Sequence, residues 1–268
     1  MTRPIIFLTD YGIADEFVGV CHGVLQRIAP GVTVIDLTHQ IAPQAVLQGA
    51  VVLSRAIRYM PDDAVYLAVV DPGVGSERRP VAVETRSGVA LIGPDNGLLS
   101  MAWRELGGVS RSVDIASGEV LLHPVSKTFH GRDVFAPAAA HLAAGVALER
   151  LGPEIDPSSL QTLELARPMV APGVIGARVV GVDGFGNVQL NAAPDDLRAA
   201  GIAGALAIGP HVVPIVSTFE DVPEGAAAAI VDSQGFVAIV VNRGSGAGLL
   251  DVRPGDAVTI ARASPSQA

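Results

Sequence analysis

The sequence predicts an α/β protein: an N-terminal, mostly parallel sheet with flanking helices, Rossmann-like, followed by a smaller, mainly β C-terminal domain. Three observations predict it. Short apolar runs alternate with segments of helical periodicity as far as Gly152, and such alternation produces parallel strands covered on both faces. Beyond Ile155 the alternation gives way to short β runs split by Gly, Asp and Pro turns. With 49% hydrophobic and only 17% charged residues, the 268-residue chain is neither disordered nor a solvated coiled coil and has apolar material for more than one core.

Each element follows from its own stretch. "PIIFLTD" reads as a short buried strand ending at Asp10. "DEFVGVCHGVLQRIAP" carries apolar residues at helical spacing and closes at Pro30 and Gly31. "VTVIDLT" is the next strand, "PQAVLQGAVVLSRAIRYM" a second amphipathic helix, and "AVYLAVVD" a third strand ending at Asp71. "RPVAVETRSGVALIGPDNG" reads as two strands joined at Arg86, Ser87 and Gly88. A long helical stretch is expected over 131–152. The N-terminal domain spans 1–160, residues 161–171 read as a linker, and the C-terminal domain spans 172–268. Within the latter, "VIGARVVGVDGFGNVQLNA", "AAAAIVDSQGFVAIVVN" and "DVRPGDAVTIA" are the β runs, and the tail "RASPSQA" is expected to fray.

Charge and cysteine content narrow the function. A net charge of −9 and a pI of about 5.0 argue against a general nucleic-acid binder, which needs a basic face. They do not exclude a cationic small-molecule substrate, since acidic clefts attract cations. One cysteine, Cys21, rules out a disulfide framework within the chain and disfavours a cysteine-based zinc site. The apolar run at the N-terminus is too short for a signal-peptide core, and no stretch approaches the ~20 apolar residues of a spanning helix. We expect a cytoplasmic protein without membrane or nucleic-acid partners.

Ligands of open parallel sheets sit beyond the carboxyl ends of the strands. Three expected strands end in polar groups there: Thr9 and Asp10, Asp36 to His39, and Asp71. Each aspartate also suits a turn or helix cap, but the recurrence points to a site. The loop "VVDPGVGSERRP" lacks the lysine of a Walker motif and the third glycine of a dinucleotide fingerprint. Its glycines instead let backbone approach a ligand closely, and Arg78 or Arg79 can reach back to Asp71. "SKTFHGRDVFAP" puts His130 just before the long helical stretch, with Asp133 near the first turn. The other histidines, His22, His39, His123, His141 and His211, show no HxH or HExxH spacing; Asp and His together could hold a metal, but nothing in the spacing demands it. "VDGFGN" reads as a turn that offers the Phe185 ring for stacking on a flat base, with Asp183 and Asn187 beside it.

Seven segments in order, "TDYGIADEFVG", "DLTHQIAP", "VVDPGVGSERR", "IGPDNGLLS", "TFHGRDVFAP", "VDGFGN" and "VNRGS", make the chain resemble the S-adenosyl-L-methionine hydrolases (adenosine-forming), also called SAM hydroxide adenosyltransferases, relatives of fluorinase and chlorinase. The resemblance covers nearly the whole chain. It implies a β-barrel-like C-terminal domain, a homotrimer with substrate held between subunits, no metal, and no cofactor beyond S-adenosyl-L-methionine as substrate. It implies that Asp71, Arg78 and His130 handle an attacking water, Arg78 rather than Arg79 matching by its spacing of seven from Asp71. Asp10 matches a ribose-binding residue. Asp15 and Asp183 match groups near the methionine ammonium, Asn187 and Ser233 further substrate contacts, with Phe185 in the same loop. The backbone around Val241 and Asn242 matches a reader of the adenine edge.

Two positions depart from the family pattern. Gln44 stands where relatives have an aromatic residue, and Ala238 where many have a glutamate. Three other functions remain as alternatives: a halide-using synthase on the same fold, a non-catalytic nucleoside or S-adenosyl-L-methionine binder, and a metal-dependent phosphoesterase using the strand-end aspartates.

Overall fold

A computed structural model of the chain describes residues 2–263. It divides into two compact units, Met1–Glu164 and Leu165–Ala268. In the first, six strands form one sheet: β1 (Ile5–Thr9), β2 (Val34–Thr38), β3 (Val65–Val69), β4 (Pro80–Thr85), β5 (Ala90–Pro94) and β6 (Val109–Asp114), in the order β2-β1-β3-β5-β4-β6. The first four strands of that order pair in parallel, and β4 runs antiparallel to both its neighbours.

Four helices cover the sheet: α1 (Phe17–Ile28), α2 (Val46–Ala56), α3 (Ser100–Glu105) and α4 (Ala136–Ala143). Alternate residues of β1 explain the layers, because successive side chains of a strand face opposite ways. Ile5 and Phe7 pack with Cys21, Val24 and Leu25 of α1 and the alanines of α4. Ile6 and Leu8 pack with Leu53 of α2 and Trp103 of α3. The expected α/β layers are therefore present, with the carboxyl ends of β1, β2 and β3 side by side.

The helix expected over 131–152 is broken. Gly131–Phe135 form a wide π-type turn, α4 follows, and Leu148–Arg150 make a separate short turn. Gly145 ends α4, because its φ of 92° is left-handed and the next amides bond back over the last turn, Gly145 N to Leu142 O and Val146 N to His141 O. Residues 161–171 are not a free linker at either end. The Gln161 and Leu163 amides donate to Asp95 and to Ser100, and β7 (Met169–Ala171) pairs with the strand that follows.

In the second unit, β8 (Val174–Val182), β9 (Val188–Leu190), β10 (Ala205–Ile208), β11 (His211–Pro214), β12 (Ala227–Val231), β13 (Val237–Val241) and β14 (Ala257–Arg262) run β11-β10-β14-β8-β9-β13-β12. A bridge between Ile215 and Ala229 brings the two ends of this order together, so the antiparallel sheet is a nearly closed barrel. Its interior holds Ile175, Val179, Leu190, Leu206, Ile239 and Ile260. Two short helices, α5 (Pro194–Ala200) and α6 (Gly246–Leu250), complete the unit. Arg262 lies in β14, so the expected fraying does not begin there; residues 264–268 lie outside the described residues.

Candidate active site

In the N-terminal unit, Asp10 and Asp71 stand just past the carboxyl ends of β1 and β3. They line a cleft of about 200 Å³ with Tyr11, Phe17, Val74, Thr128, Phe129 and His130. Asp71 and Arg78 form a two-pronged pair: Arg78 Nε donates to Asp71 Oδ1 at 3.1 Å, and Nη2 donates to Oδ2. The same Nη2 lies 3.1 Å from His130 Nδ1. Both members of the pair are well buried, their side chains 6% and 7% exposed. The Phe135 ring sits under the guanidinium at 5.2 Å. Arg79, the other candidate, turns away and pairs with Asp95.

Local sequence explains the convergence. Gly75 has a φ of 77°, and a Cβ there would overlap the Lys127 carbonyl. Only glycine lets the Asp71–Arg78 loop lie against the loop that carries His130. At Gly131 a Cβ would overlap the Tyr11 hydroxyl, so the ring of Tyr11 seats directly on the turn after His130. Tyr11, Phe17 and Phe129 make a cluster with centroids 5.2–6.0 Å apart.

Electrostatics follow from burial. An arginine has donors only, so His130 Nδ1 must accept from Arg78, and the neutral ring carries its proton on Nε2. Burial, and then the adjacent Arg78 charge, lower the His130 pKa from its usual 6.5. Burial raises that of Asp10, while the Gln44 amide on its carboxylate works against this at 2.8 Å. Gln44 takes a left-handed φ of 66° to make that bond. Asp15 is exposed in the loop before α1 and does not line the cleft.

In the C-terminal unit a second pocket, about 620 Å³, is lined by Phe185, Asn187, Phe219, Val241, Asn242, Arg243, Gly244 and Ser245. Phe185 is 83% exposed, as a stacking ring requires. The Asp183 carboxylate is largely spent inside its own turn. It accepts from the amides of Phe185 and Asn187 and from the Asn187 side chain. The Asn242 backbone is engaged as well: its N–H donates to Ala226 O and its C=O accepts from Gly225 N. Ser233 lies outside the pocket, in the turn before β13. A five-residue strand, at roughly 3.3 Å per residue, separates that turn from Val241. Ala238 is buried with Ala228, Ile230 and Val240, in a place without room for a glutamate's charge.

Family models for the SAM hydroxide adenosyltransferase N-terminal and C-terminal domains match residues 5–152 and 177–259. The chain belongs to the SAM hydroxide adenosyltransferase family. An (R)-S-adenosyl-L-methionine hydrolase from Salinispora arenicola is 46% identical over 97% of this chain and 98% of its own length. A crystal structure of an uncharacterized conserved protein from Thermotoga maritima superposes with a TM-score of 0.86 at 36% identity, covering 96% of this chain and all of that one. A fluorinase from Nocardia brasiliensis is a more distant relative, 30% identical over 96% of this chain and 97% of its own.

Several groups that line the two pockets are not marked by residue type. Tyr11 and Phe129 lie inside the motifs "TDYGIADEFVG" and "TFHGRDVFAP", directly beside Asp10 and His130, and that adjacency is their signal in the sequence. Phe219 opens a short 3-10 turn, Phe219–Asp221, that carries no motif, and nothing local marks it.

Proposed function

We propose that this chain hydrolyses S-adenosyl-L-methionine to adenosine and L-methionine, with Asp71, Arg78 and His130 managing the water. The observation that carries this reading is the single guanidinium held between a carboxylate and an imidazole at the edge of one cleft. The water oxygen attacks C5′ and forms the C–O bond. The C5′–S bond breaks with its electron pair passing to sulfur, which leaves as a neutral thioether and needs no acid. His130, with its proton on Nε2, donates to the water oxygen and aims its lone pair. Asp71 takes the proton on the lone-pair directions that Arg78 leaves open. Alignment of a nucleophile with its target supplies up to ~7–11 kcal/mol of the barrier in well-ordered systems. Asp10 would hold the ribose hydroxyls, and Phe185 and Asn187 the adenine.

A halide synthase is a poorer fit. Asp10 and Asp71 bring two carboxylates to the cleft, and an anion there would be repelled.

The cleft of about 200 Å³ is smaller than the ~300–1,000 Å³ of ordinary ligand sites, and the pocket at Phe185 brings no carboxylate or imidazole. Each unit offers half of what the substrate needs. The assembly we propose is a homotrimer in the cytoplasm, in which the N-terminal unit of one subunit and the C-terminal unit of its neighbour share one substrate. The test is chromatography of the purified chain incubated with S-adenosyl-L-methionine and excess chloride. Adenosine and methionine are expected in equal amounts, with no 5′-chloro product. His130→Ala and Asp71→Asn should each slow release by ~10²–10⁴-fold. A His130→Ala variant as fast as the parent would overturn the assignment.

A further inference from the structure

On the α1 side of the sheet edge lies a second constellation that the water chemistry does not use. His22 projects from α1, Asp36 from the edge strand β2, and His39 follows that strand. His22 Nε2 is 2.9 Å from Asp36 Oδ1, and His39 Nε2 is 3.0 Å from the same oxygen. One ligand atom from each of the three lies within 4.8 Å of the others. We infer that these three side chains form a binding site for a late first-row divalent cation of the zinc or cobalt type.

The state of His39 favours a cation over a simple hydrogen-bonded cluster. Its side chain is 5% exposed, and its fully buried Nε2 has no hydrogen-bond partner of acceptable geometry, although Asp36 Oδ1 is close. A buried ring nitrogen that approaches a carboxylate without bonding to it is costly unless something between them satisfies both. The far side of the ring is arranged as in metal-bound histidines. Nδ1 lies 2.9 Å from Oγ1 of Thr9, which is fully buried. With Nδ1–H donated to that oxygen, the lone pair falls on Nε2, the tautomer that ligates. The Phe7 ring meets His39 edge-on at 4.7 Å and His22 at 5.9 Å, fixing both imidazoles.

Two imidazoles and one carboxylate suit zinc, cobalt, nickel or copper, whereas magnesium and calcium prefer all-oxygen sets. Three protein ligands leave one tetrahedral position, and the partial exposure of His22 and Asp36, 31% and 43%, opens it to water. The spacing in sequence, 14 between His22 and Asp36 and three between Asp36 and His39, matches no metal motif. The fold alone assembles the set. The cation would clamp the ends of β1 and β2 and, through Thr9, the position of Asp10, without touching the reacting atoms.

The test uses the full, tag-free chain, stripped with chelator, desalted and titrated with Co(II) and, by competition with a chromophoric chelator, Zn(II). One ion per chain is expected, with visible Co(II) bands of a four- or five-coordinate site. His22→Ala and Asp36→Asn should abolish stoichiometric binding, while His211→Ala in the other unit keeps it. Thr9→Val should weaken it by ~10–100-fold. X-ray absorption of the zinc-loaded parent reads the ligands without relying on any variant; imidazole plus oxygen is expected. Absence of stoichiometric binding by the parent, or a first shell without imidazole, overturns the site, as does binding undiminished in folded His22→Ala.

Discussion

Because a guanidinium cannot accept a hydrogen bond, its 3.1 Å contact with His130 Nδ1 ties that ring's function to its neutral form. A second proton could enter only at Nδ1, where it would face the Arg78 cation. Burial first, and that cation second, already hold the His130 pKa below 6.5. The sign follows. The unfolded chain takes up this proton at a higher pH than the folded one. The contribution to stability is therefore complete above about pH 6.5 and is lost as pH falls through the lower folded value. Activity should follow the same group. The acid limb of kcat/KM is expected to have its midpoint below 6.5, and His130→Gln should remove that limb while lowering the plateau. Burial raises the pKa of Asp10 as well, so the variant is what separates the two. A limb unchanged in His130→Gln would assign it to a carboxylate of the cleft instead.

The π-type turn Gly131–Phe135 joins the His130 loop to α4, and its first residue is pinned by Tyr11. Gly131→Ala puts a methyl into the space of the Tyr11 hydroxyl, which must swing into the cleft or push the turn outward. Overpacking of this kind costs ~1–3 kcal/mol, and here it also displaces His130. Tyr11→Phe removes the clashing oxygen, although ring carbon Cζ would still lie 3.0 Å from the new methyl. A double-mutant cycle read by urea denaturation should give a coupling of about 1 kcal/mol, with Gly131→Ala milder in the Tyr11→Phe background. Additive costs would mean that the two residues do not share that space. This contact also shows what was legible in the sequence. The ends of β1 and β3 were legible, because their apolar runs stop at Asp10 and Asp71 and a buried parallel strand admits little else. The end of α4 was overrun because an alanine-rich stretch keeps helical character past Gly145, whose left-handed φ is a fact of the fold. The short α5 was missed although Pro194 opens it and Gly201, with a φ of 65°, closes it. Convergence of Arg78 on His130 was legible only through family resemblance. It rests on Gly75 against Lys127, two residues 52 apart whose backbones must meet.

Whether two half-sites belong to one subunit or to neighbours can be decided by mixing. In the proposed closed ring every interface is of one heterologous kind, so a site shared between subunits would pair each N-terminal unit with the C-terminal unit of an adjacent copy. The proposed trimer, three copies of 27.4 kDa, should weigh 82.2 kDa by light scattering. Asp71→Asn disables the acid-base half, and Phe185→Ala, which removes an 83% exposed ring and disturbs no core, disables the binding half. Each variant alone should be nearly inactive. When the two are unfolded together and refolded at equal amounts, an intact site needs a sound N-terminal unit from a Phe185→Ala chain and a sound C-terminal unit from an Asp71→Asn chain. Random assembly gives each half an even chance, so about a quarter of the sites should recover. Sites built within single chains would recover nothing, because every chain carries one lesion. The regained rate thus reports the path of the substrate across the assembly, independently of how the water's proton is removed.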